Sequence, residues 1–147
     1  MEKPSILLYS DSLHRAQVIA LWEKVFGYQS AHNQPALAID KKLAVKDGLF
    51  FVAATGDTVV GTIMAGYDGH RGWIYSVAVS PAHQRQGIGT LLMTAAETAL
   101  RNLGCLKINL QVMPNNEKVT AFYQSLGYDV EERISMGKKV AENIPSA

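Results

Sequence analysis

The residues best suited to chemistry lie between a predicted strand and a predicted helix, in the segment Gln84–Thr90. Gly87 and Gly89 stand where that helix begins, and a glycine lets a ligand come close to the backbone because it has no Cβ. The first N–H groups of a helix lack intrahelical partners, and the helix dipole favours negative charge there. Arg85 adds a charge-assisted contact to a phosphate. The pattern predicts either an anion-binding turn or, as the structural alternative, an ordinary turn shaped by its glycines.

Two known phosphate-binding motifs do not fit this segment. The dinucleotide fingerprint requires a third small residue three positions after the second glycine, and Leu92 stands there. A P-loop requires Gly-Lys followed by Ser or Thr, which the segment does not contain. Both kinds of nucleotide-binding loop are therefore excluded.

Tyr123 and Asn116 have ordinary structural roles when only their local pattern is considered. Tyr123 lies on the helical stripe of Val119, Phe122 and Leu126, which favours a core aromatic. Asn116 precedes the same helix, where its commonest role is the N-cap.

The spacing of the histidines argues against a metal site, and a single cysteine cannot form an internal disulfide. His14, His32, His70 and His83 do not have the spacing of a metal site, and we expect all four at the surface or in turns. Cys105 starts a predicted buried strand, where a lone cysteine behaves as a small hydrophobe. The sequence therefore predicts no metal cofactor, no internal disulfide and no covalent acyl-enzyme.

The composition is that of a globular chain and excludes several classes of function. Of the 147 residues, 48% are hydrophobic and 18% are charged, which is typical of a folded chain and not of a disordered one. Lys and Arg total 14 and Asp and Glu total 13, so a net charge of +1 gives no broad basic surface for nucleic acid or membrane. We find no signal peptide and no run of ~20 apolar residues. We expect one cytoplasmic domain over residues 1–147, with a frayed tail over 137–147.

Periodicity predicts the elements that must position these residues, in the order β-α-α-β-β-β-α-β-α-β. The predicted elements are a strand over 5–10, helices over 12–26 and 36–46, an antiparallel meander over 49–55, 58–67 and 73–80, a helix ending at Gly104, a strand over 106–113, a helix after Asn116 and a last strand over Tyr128–Met136. This order predicts a mixed α/β sheet in one domain.

Two stretches resemble motifs of the GNAT superfamily, the Gcn5-related N-acetyltransferases. The stretch "VAVSPAHQRQGIGTLLM" resembles motif A, Gln/Arg-x-x-Gly-x-Gly/Ala, with Gln84, Gly87 and Gly89 at its defined positions. The stretch "NNEKVTAFYQSLGY" resembles the C-terminal motif, Asn-x6-Tyr followed by a Gly-aromatic pair. The predicted element order is similar to that of the family along essentially the whole chain. The stretches "LWEKV" and "GYDGHRG" further resemble the bacterial YpeA-like branch.

The resemblance implies an N-acetyltransferase of the GNAT, or acyl-CoA N-acyltransferase, fold, in which coenzyme A enters between two splayed central strands. Its implied cofactor contacts are Val77, Ala78 and Val79 with the pantetheine arm, Gln84, Arg85, Gln86, Gly87, Ile88, Gly89 and Thr90 with the pyrophosphate, and Asn116 with the pantetheine region. Tyr123 aligns with the tyrosine that the family often uses as general acid. A strand N–H near Val77 would stabilise the oxyanion.

The general base stays open at this stage. Some relatives carry a Glu where Gln111 stands, and an amide cannot act as a base. The remaining routes for the amine proton are ordered water, Glu23, Asp68 or His70.

The acceptor and the functional class also stay open. We expect a primary amine of a small molecule or of a peptide, in a pocket shaped by Trp22, Glu23 and the loop over 27–35. A homodimer formed through sheet edges is a further expectation. The alternatives are a non-catalytic acyl-CoA-binding or sensing module, and transfer of a larger acyl group such as succinyl.

Overall fold

The computed structural model describes residues 3–27 and 34–141, and within these ranges the chain forms five strands and four helices. The strands are β1 (Ser5–Leu8), β2 (Phe50–Thr55), β3 (Thr58–Tyr67), β4 (Gly72–Val79) and β5 (Ile108–Leu110). The helices are α1 (Asp11–Phe26), α2 (Pro35–Val45), α3 (Ile88–Asn102) and α4 (Glu117–Ser125), with a short 3-10 turn at Pro81–His83. The order of elements through α4 confirms the sequence prediction.

The five strands form one mixed sheet in the order β1-β2-β3-β4-β5. The first four strands are antiparallel neighbours, because each follows the last through a turn or the α1–α2 pair. Strands β4 and β5 are parallel, as expected when α3 carries the chain back across the sheet. This arrangement confirms the predicted mixed α/β fold and its three-stranded meander.

Helices cover both faces of the sheet and produce two hydrophobic cores. On one face Val18 and Trp22 of α1 and Ile39 of α2 pack with residues of β2 and β3. On the other face Leu92 and Leu100 of α3 pack with side chains of the same two strands and of β4. The apolar residues of α3 recur at helical spacing and therefore form one buried stripe.

The predicted last strand, Tyr128–Met136, is wrong. In the structure this stretch has no regular secondary structure, and its hydrogen bonds to β5 and to the residues that flank β5 run through side chains rather than a backbone ladder. A strand is stable only when its backbone groups find partners, and alternation of apolar residues does not supply them. The strand predicted over 106–113 is likewise reduced to β5, since Leu106 is exposed.

One histidine departs from the sequence prediction. His14 is buried rather than at the surface, because its Nδ1 accepts the N–H of Ser10 at 3.0 Å where α1 begins. His32 and most of the loop over 27–35 lie outside the described residues. None of the helices in the described ranges is long and apolar enough to cross a bilayer.

Candidate functional site

Strands β4 and β5 separate after a short stretch of pairing. Their ladder runs from Gly72↔Ile108 to Ile74↔Leu110. Beyond Ile74, β4 continues to Val79 and is paired to β3 on its other side. At ~3.3 Å per residue, the five residues from Tyr75 to Val79 form an unpaired edge about 16 Å long on the side of β5, within the described chain. An extended ligand can add to such an edge as a further strand does.

A β-bulge interrupts β4 at the start of this edge. Thr62 is paired with Ala78 and Met64 with Tyr75, so β4 contains one residue more than β3 across the same interval. The bulged residue is Ser76, whose φ of 53° lies in the left-handed region. Bulges bend a strand and redirect its backbone groups. This bend separates the last residues of β4 from the direction of β5.

A buried hydrogen-bond chain fixes the bulge. The indole Nε1 of Trp22 donates to Thr62 Oγ1 at 2.8 Å, and Thr62 Oγ1 donates to the Ser76 carbonyl at 2.9 Å. Both side chains are almost fully buried. Trp22 therefore supports the bulge from behind, and its part in shaping an acceptor pocket stays a prediction. The bulge itself has no sequence signal, since Ser is ordinary in a strand.

The predicted contacts of β4 all lie on the unpaired edge. The side chains of Val77 and Val79 are half-buried against the core beneath α3, and that of Ala78 is buried against the α1 core. Their side chains are thus engaged in packing, so a ligand along this edge would be bound through the backbone.

The turn before α3 presents an open helix N-terminus. Gly87 is the N-cap residue of α3, with φ of 78°, and no side chain caps this end. A β-carbon added at Gly87 would have nothing within 4 Å, so the space beside it is open. Gln84, Arg85 and Gln86 are exposed around it, whereas Ile88 is buried in the core. An open N-terminus with a cationic neighbour fits a phosphate group.

His83 contributes a feature that sequence spacing did not single out. Its Nδ1 is buried and has no hydrogen-bond partner among the described residues. It lies in the 3-10 turn directly before Gln84. Buried polar atoms without partners are rare in native proteins, so this nitrogen is available to a ligand or water at the same turn.

Helix α4 packs on the first turn of α3. A β-carbon at Gly89 would lie 3.1 Å from Phe122 Cζ, so the glycine permits this close approach. Asn116 is the N-cap of α4, and its side chain accepts the N–H of Val119 at 3.4 Å. That bond uses the amide oxygen, and the exposed amide nitrogen can still donate to a ligand. The structure thus brings the two predicted motifs together.

Tyr123 lies in the middle of α4 and is buried. Its ring packs against Phe122 at 5.2 Å and edge-on against Tyr128 at 6.0 Å between centroids. No residue in the described part of the chain hydrogen-bonds to its hydroxyl. Burial raises the pKa of this phenol above its ordinary 10.0, because removal from water disfavours the phenolate. The hydroxyl is therefore protonated at neutral pH, as a proton donor must be.

The remaining candidates for a base differ in position. Asp68 and His70 lie in the turn before β4, at the end where β4 and β5 are still paired. The backbone N–H groups of Arg71 and His70 donate to the Asp68 carboxylate and lower its pKa, which weakens it as a base. From this turn the bulge is more than ~13 Å along β4, at the rise of a strand. Glu23 is exposed on α1, beside Trp22.

Gln111 and Cys105 are both engaged elsewhere. The Gln111 amide donates to Ser135 Oγ at 2.5 Å. Cys105 is buried, and its Sγ lies 3.2 Å from the Lys107 carbonyl. A β-carbon at Gly72 would lie 2.9 Å from the same sulfur, so Cys105 packs where β4 begins rather than at the bulge. Within residues 3–27 and 34–141, no group of three or more His, Cys, Asp or Glu side chains could hold a metal ion.

Comparison with known proteins gives one family and one fold. A sequence profile of the Acetyltransferase (GNAT) family matches residues 13–128, which include every candidate site residue named above.

Three solved structures have a similar fold. An aminoglycoside N-acetyltransferase, AAC(6')-Iy, in complex with CoA has a TM-score of 0.76 at 18% identity, over 96% of this chain and 97% of its own. Ard1 from Thermoplasma volcanium has a TM-score of 0.76 at 24% identity, over 87% of this chain and 84% of its own. The glucosamine-6-phosphate N-acetyltransferase from Arabidopsis thaliana has a TM-score of 0.71 at 18% identity, over 95% of this chain and all of its own. At sequence identities of 18–24%, these comparisons show that the fold is shared.

Proposed function

The chain belongs to the acetyltransferase (GNAT) family, and from this membership we propose that it transfers the acetyl group of acetyl-CoA to a primary amine. The observation that carries the proposal is the juxtaposition at the separated strands. The unpaired edge of β4 leads into the open N-terminus of α3, and Tyr123 belongs to the same hydrophobic core as Ile88, against which Val77 and Val79 pack. Transfer is direct, within a complex of enzyme, acetyl-CoA and amine, because Cys105 packs at the other end of β4.

The acetyl-CoA would be held mainly by backbone. The edge from Val77 to Val79 would pair with the amide groups of the pantetheine arm, as a strand pairs with a sheet. The N–H groups from Gln84 to Thr90 would bind the pyrophosphate, with Arg85 adding charge. Asn116 would donate its free amide hydrogens to the pantetheine region. The open space beside Gly87 and the uncapped helix end support this fit.

The reaction forms a C–N bond and breaks a C–S bond. The amine nitrogen attacks the thioester carbon, and negative charge develops on the carbonyl oxygen. The backbone N–H of Val77, next to the bulge, is our candidate donor to that oxygen. Tyr123 would donate its proton to the departing thiolate. Its raised pKa keeps that proton in place until the bond breaks.

The amine must lose a proton before or during its attack. Gln111 cannot accept it, and Asp68 and His70 lie at the wrong end of β4. We propose that the proton leaves through ordered water or through Glu23, since α1 packs directly behind the bulge through Trp22. Comparison of the pH profiles of wild type and Glu23→Gln tests this. An unchanged acidic limb would assign the step to water.

The acceptor is proposed as an exposed primary amine, on a small molecule or on a peptide. Two proteins of similar fold are an aminoglycoside acetyltransferase and a glucosamine-6-phosphate acetyltransferase, so amino sugars form the first arm of a test. Membership of the YpeA-like branch is a narrower proposal. It rests on "LWEKV" in α1 and "GYDGHRG" at the turn between β3 and β4.

The decisive experiment measures release of the coenzyme A thiol from acetyl-CoA. Amino sugars, aminoglycosides, polyamines, amino acids and short peptides serve as acceptors, and propionyl- and succinyl-CoA as alternative donors. Acceptor-dependent release supports the transferase and names its substrate class. Acetyl-CoA binding without release by any acceptor would favour the alternative, a non-catalytic acyl-CoA sensor. Failure to bind acetyl-CoA would overturn both.

A further inference from the structure

Two aromatic side chains lie half-exposed on one face of β4, next to the bulge. Trp73 and Tyr75 are 39% and 41% exposed, and alternation along the strand places both on the same face. Tyr75 is paired with Met64, which belongs to the core beneath α1 and α2. The two rings therefore lie on the face of the sheet opposite to α3. Adjacent aromatic side chains left open in this way form a contiguous apolar surface, which is typical of a binding site.

The two rings flank a glycine on β3. Gly66 is paired with Trp73, and a β-carbon added at Gly66 would lie 3.9 Å from both Cε1 and Oη of Tyr75. The ring of Tyr75 thus extends along β3 toward the position that pairs with Trp73. Because Gly66 has no side chain, this position adds no bulk between the rings. Trp73, Tyr75 and Gly66 are named here the aromatic surface.

A buried lysine fixes the ring of Tyr75. The side chain of Lys42, on α2, is 5% exposed, and its ammonium lies 5.5 Å from the centre of the Tyr75 ring. The same ammonium donates to Asp47 Oδ2 at 2.8 Å and to the Ala65 carbonyl. A cation over the face of an aromatic ring attracts it, and more strongly when the cation is removed from water. Lys42 therefore holds Tyr75 in place, while the exposed part of the ring stays available to a ligand.

The charged side chains beside the aromatic surface occur mainly in opposite pairs. One is the lysine–aspartate pair of α2 just described. Asn109 of β5 is paired with Trp73 and donates to Glu131, which also accepts from Lys107 at 2.6 Å. Arg71 adds a positive charge beside Asn109, since its Nη1 donates to Asn109 Oδ1 at 3.4 Å. These groups give the surface no surplus of negative charge, which a polycationic acceptor such as a polyamine requires. They favour an acceptor whose body is uncharged.

We propose that the aromatic surface binds the acceptor, and that this acceptor is a primary amine joined to an uncharged ring by a short carbon chain. The inference rests on the proposed function and names its substrate class. Tyr75 precedes Val77, the candidate oxyanion donor, by two residues, which is about 7 Å at the rise of a strand. An amine that attacks the thioester there reaches the rings only through a spacer. Aryl and pyranose rings both present a flat apolar face that stacks on Trp73 and Tyr75.

The test compares kcat/KM for acceptors that differ in ring and spacer, measured by release of the coenzyme A thiol. Benzylamine, phenethylamine and phenylpropylamine vary the spacer, glucosamine supplies a sugar ring, and hexylamine has no ring. We expect the best ring-bearing amine to exceed hexylamine by about tenfold, the worth of a good aromatic contact. Equal values for hexylamine and every ring-bearing amine would overturn this inference and leave the transferase standing. No release with any acceptor, these or those of the wider panel, would overturn the proposed function and this inference with it.

Variants of the aromatic surface separate contact with the ring from a loss of stability. Tyr75→Ala and Trp73→Ala should each lower the preference for the best ring-bearing amine over hexylamine by about tenfold, through KM. Lys42→Met removes the cation and should lower the same preference, because Lys42 is a positioning residue that acts through Tyr75. Leu103→Ala, exposed at the end of α3, is the matched control and should keep the preference. A preference that survives in all three surface variants would overturn the assignment.

Tryptophan fluorescence gives a readout that does not depend on turnover. Of the two tryptophans, Trp22 is 3% exposed and Trp73 is 39% exposed, so a ligand that covers the aromatic surface changes the emission of Trp73. With coenzyme A present, phenethylamine or glucosamine should produce a saturable change in wild type and none in Trp73→Phe. The absence of a saturable change with both amines in wild type, or the same change in Trp73→Phe, would overturn the proposal.

Discussion

Tyr123 combines two properties that a proton donor beside a thioester requires. Its ring is buried against Phe122 and Tyr128, which fixes its orientation, and its raised pKa keeps the hydroxyl protonated. Helix α4 lies against the first turn of α3, where Gly89 contacts Phe122. A single phenol thus connects the two motifs that the sequence suggested separately.

Replacement of Tyr123 by Phe should remove the proton donor and retain the packing. We expect kcat to fall by about 100-fold or more, the range of general acid catalysis. The Kd for acetyl-CoA, measured by calorimetry, should stay within a few-fold of wild type. Tyr67→Phe is the matched control, because it also removes one phenol hydroxyl, which bonds to the carbonyls of Gly69 and Gly104. Equal turnover of Tyr123→Phe and wild type would remove Tyr123 from the mechanism.

The raised pKa of Tyr123 also predicts a pH dependence. A buried tyrosine binds its proton more tightly than a free one, so the acid form persists above pH 10.0 and is lost only as pH rises through the higher folded value. The midpoint of the alkaline decline in the kcat of wild type should therefore lie above pH 10.0. In Tyr123→Phe the residual rate should lack the later decline. A wild-type decline well below pH 10.0 that Tyr123→Phe abolishes would contradict the raised pKa.

The helices and inner strands could be predicted from the sequence, whereas the outermost strand and the irregular pairing of β3 with β4 could not. Helix α3 was predictable because its buried stripe and terminal glycines are local signals. The strand over Tyr128–Met136 was not, because its backbone partners depend on neighbours that alternation does not encode. The bulge at Ser76 was also invisible, since it arises from a register difference between β3 and β4. The candidate site residues were found because they occupy positions of the two sequence motifs. Thr62 lies outside both motifs and supports the bulge through buried hydrogen bonds, so no sequence pattern indicated it.

Thr62 should couple the position of the bulge to catalysis. Thr62→Val removes the hydroxyl that joins Trp22 to the Ser76 carbonyl, and leaves a buried indole N–H without a partner. We expect a loss of about 1–3 kcal/mol in the free energy of unfolding, measured in urea. The kcat of the folded variant should fall as well, because the Val77 N–H is no longer fixed. Thr62→Ser keeps the hydroxyl and should keep kcat. Equal kcat in both variants would confine Thr62 to stability.

In the whole molecule, the proposed cofactor site lies where β4 leaves its pairing with β5. Two cores hold β2, β3 and β4 between helices. Gln111, which follows β5, donates to Ser135 Oγ at 2.5 Å, so the segment after α4 contacts the end of β5.

Acetyl-CoA should stabilise the whole fold through the turn before α3. At a concentration of 100 Kd, binding adds about 2.7 kcal/mol to the free energy of unfolding, which corresponds to a rise in Tm of roughly 5–10 °C for a chain of this size. Gly87→Ala should remove most of that rise, because φ of 78° is strained for alanine and its methyl fills the open space beside the helix end.

Gly104→Ala separates this effect from backbone strain. Gly104 also has positive φ and nothing within 4 Å of an added β-carbon, but it follows the opposite end of α3. Both variants should lower the Tm of the free protein by a similar amount, since each forces alanine into the left-handed region. Gly104→Ala should nevertheless keep the full rise with acetyl-CoA. If both variants keep the full rise in Tm with acetyl-CoA, the turn before α3 does not bind the pyrophosphate. A rise that is lost only in Gly87→Ala would indicate contact with the ligand, because both variants have the same kind of backbone strain.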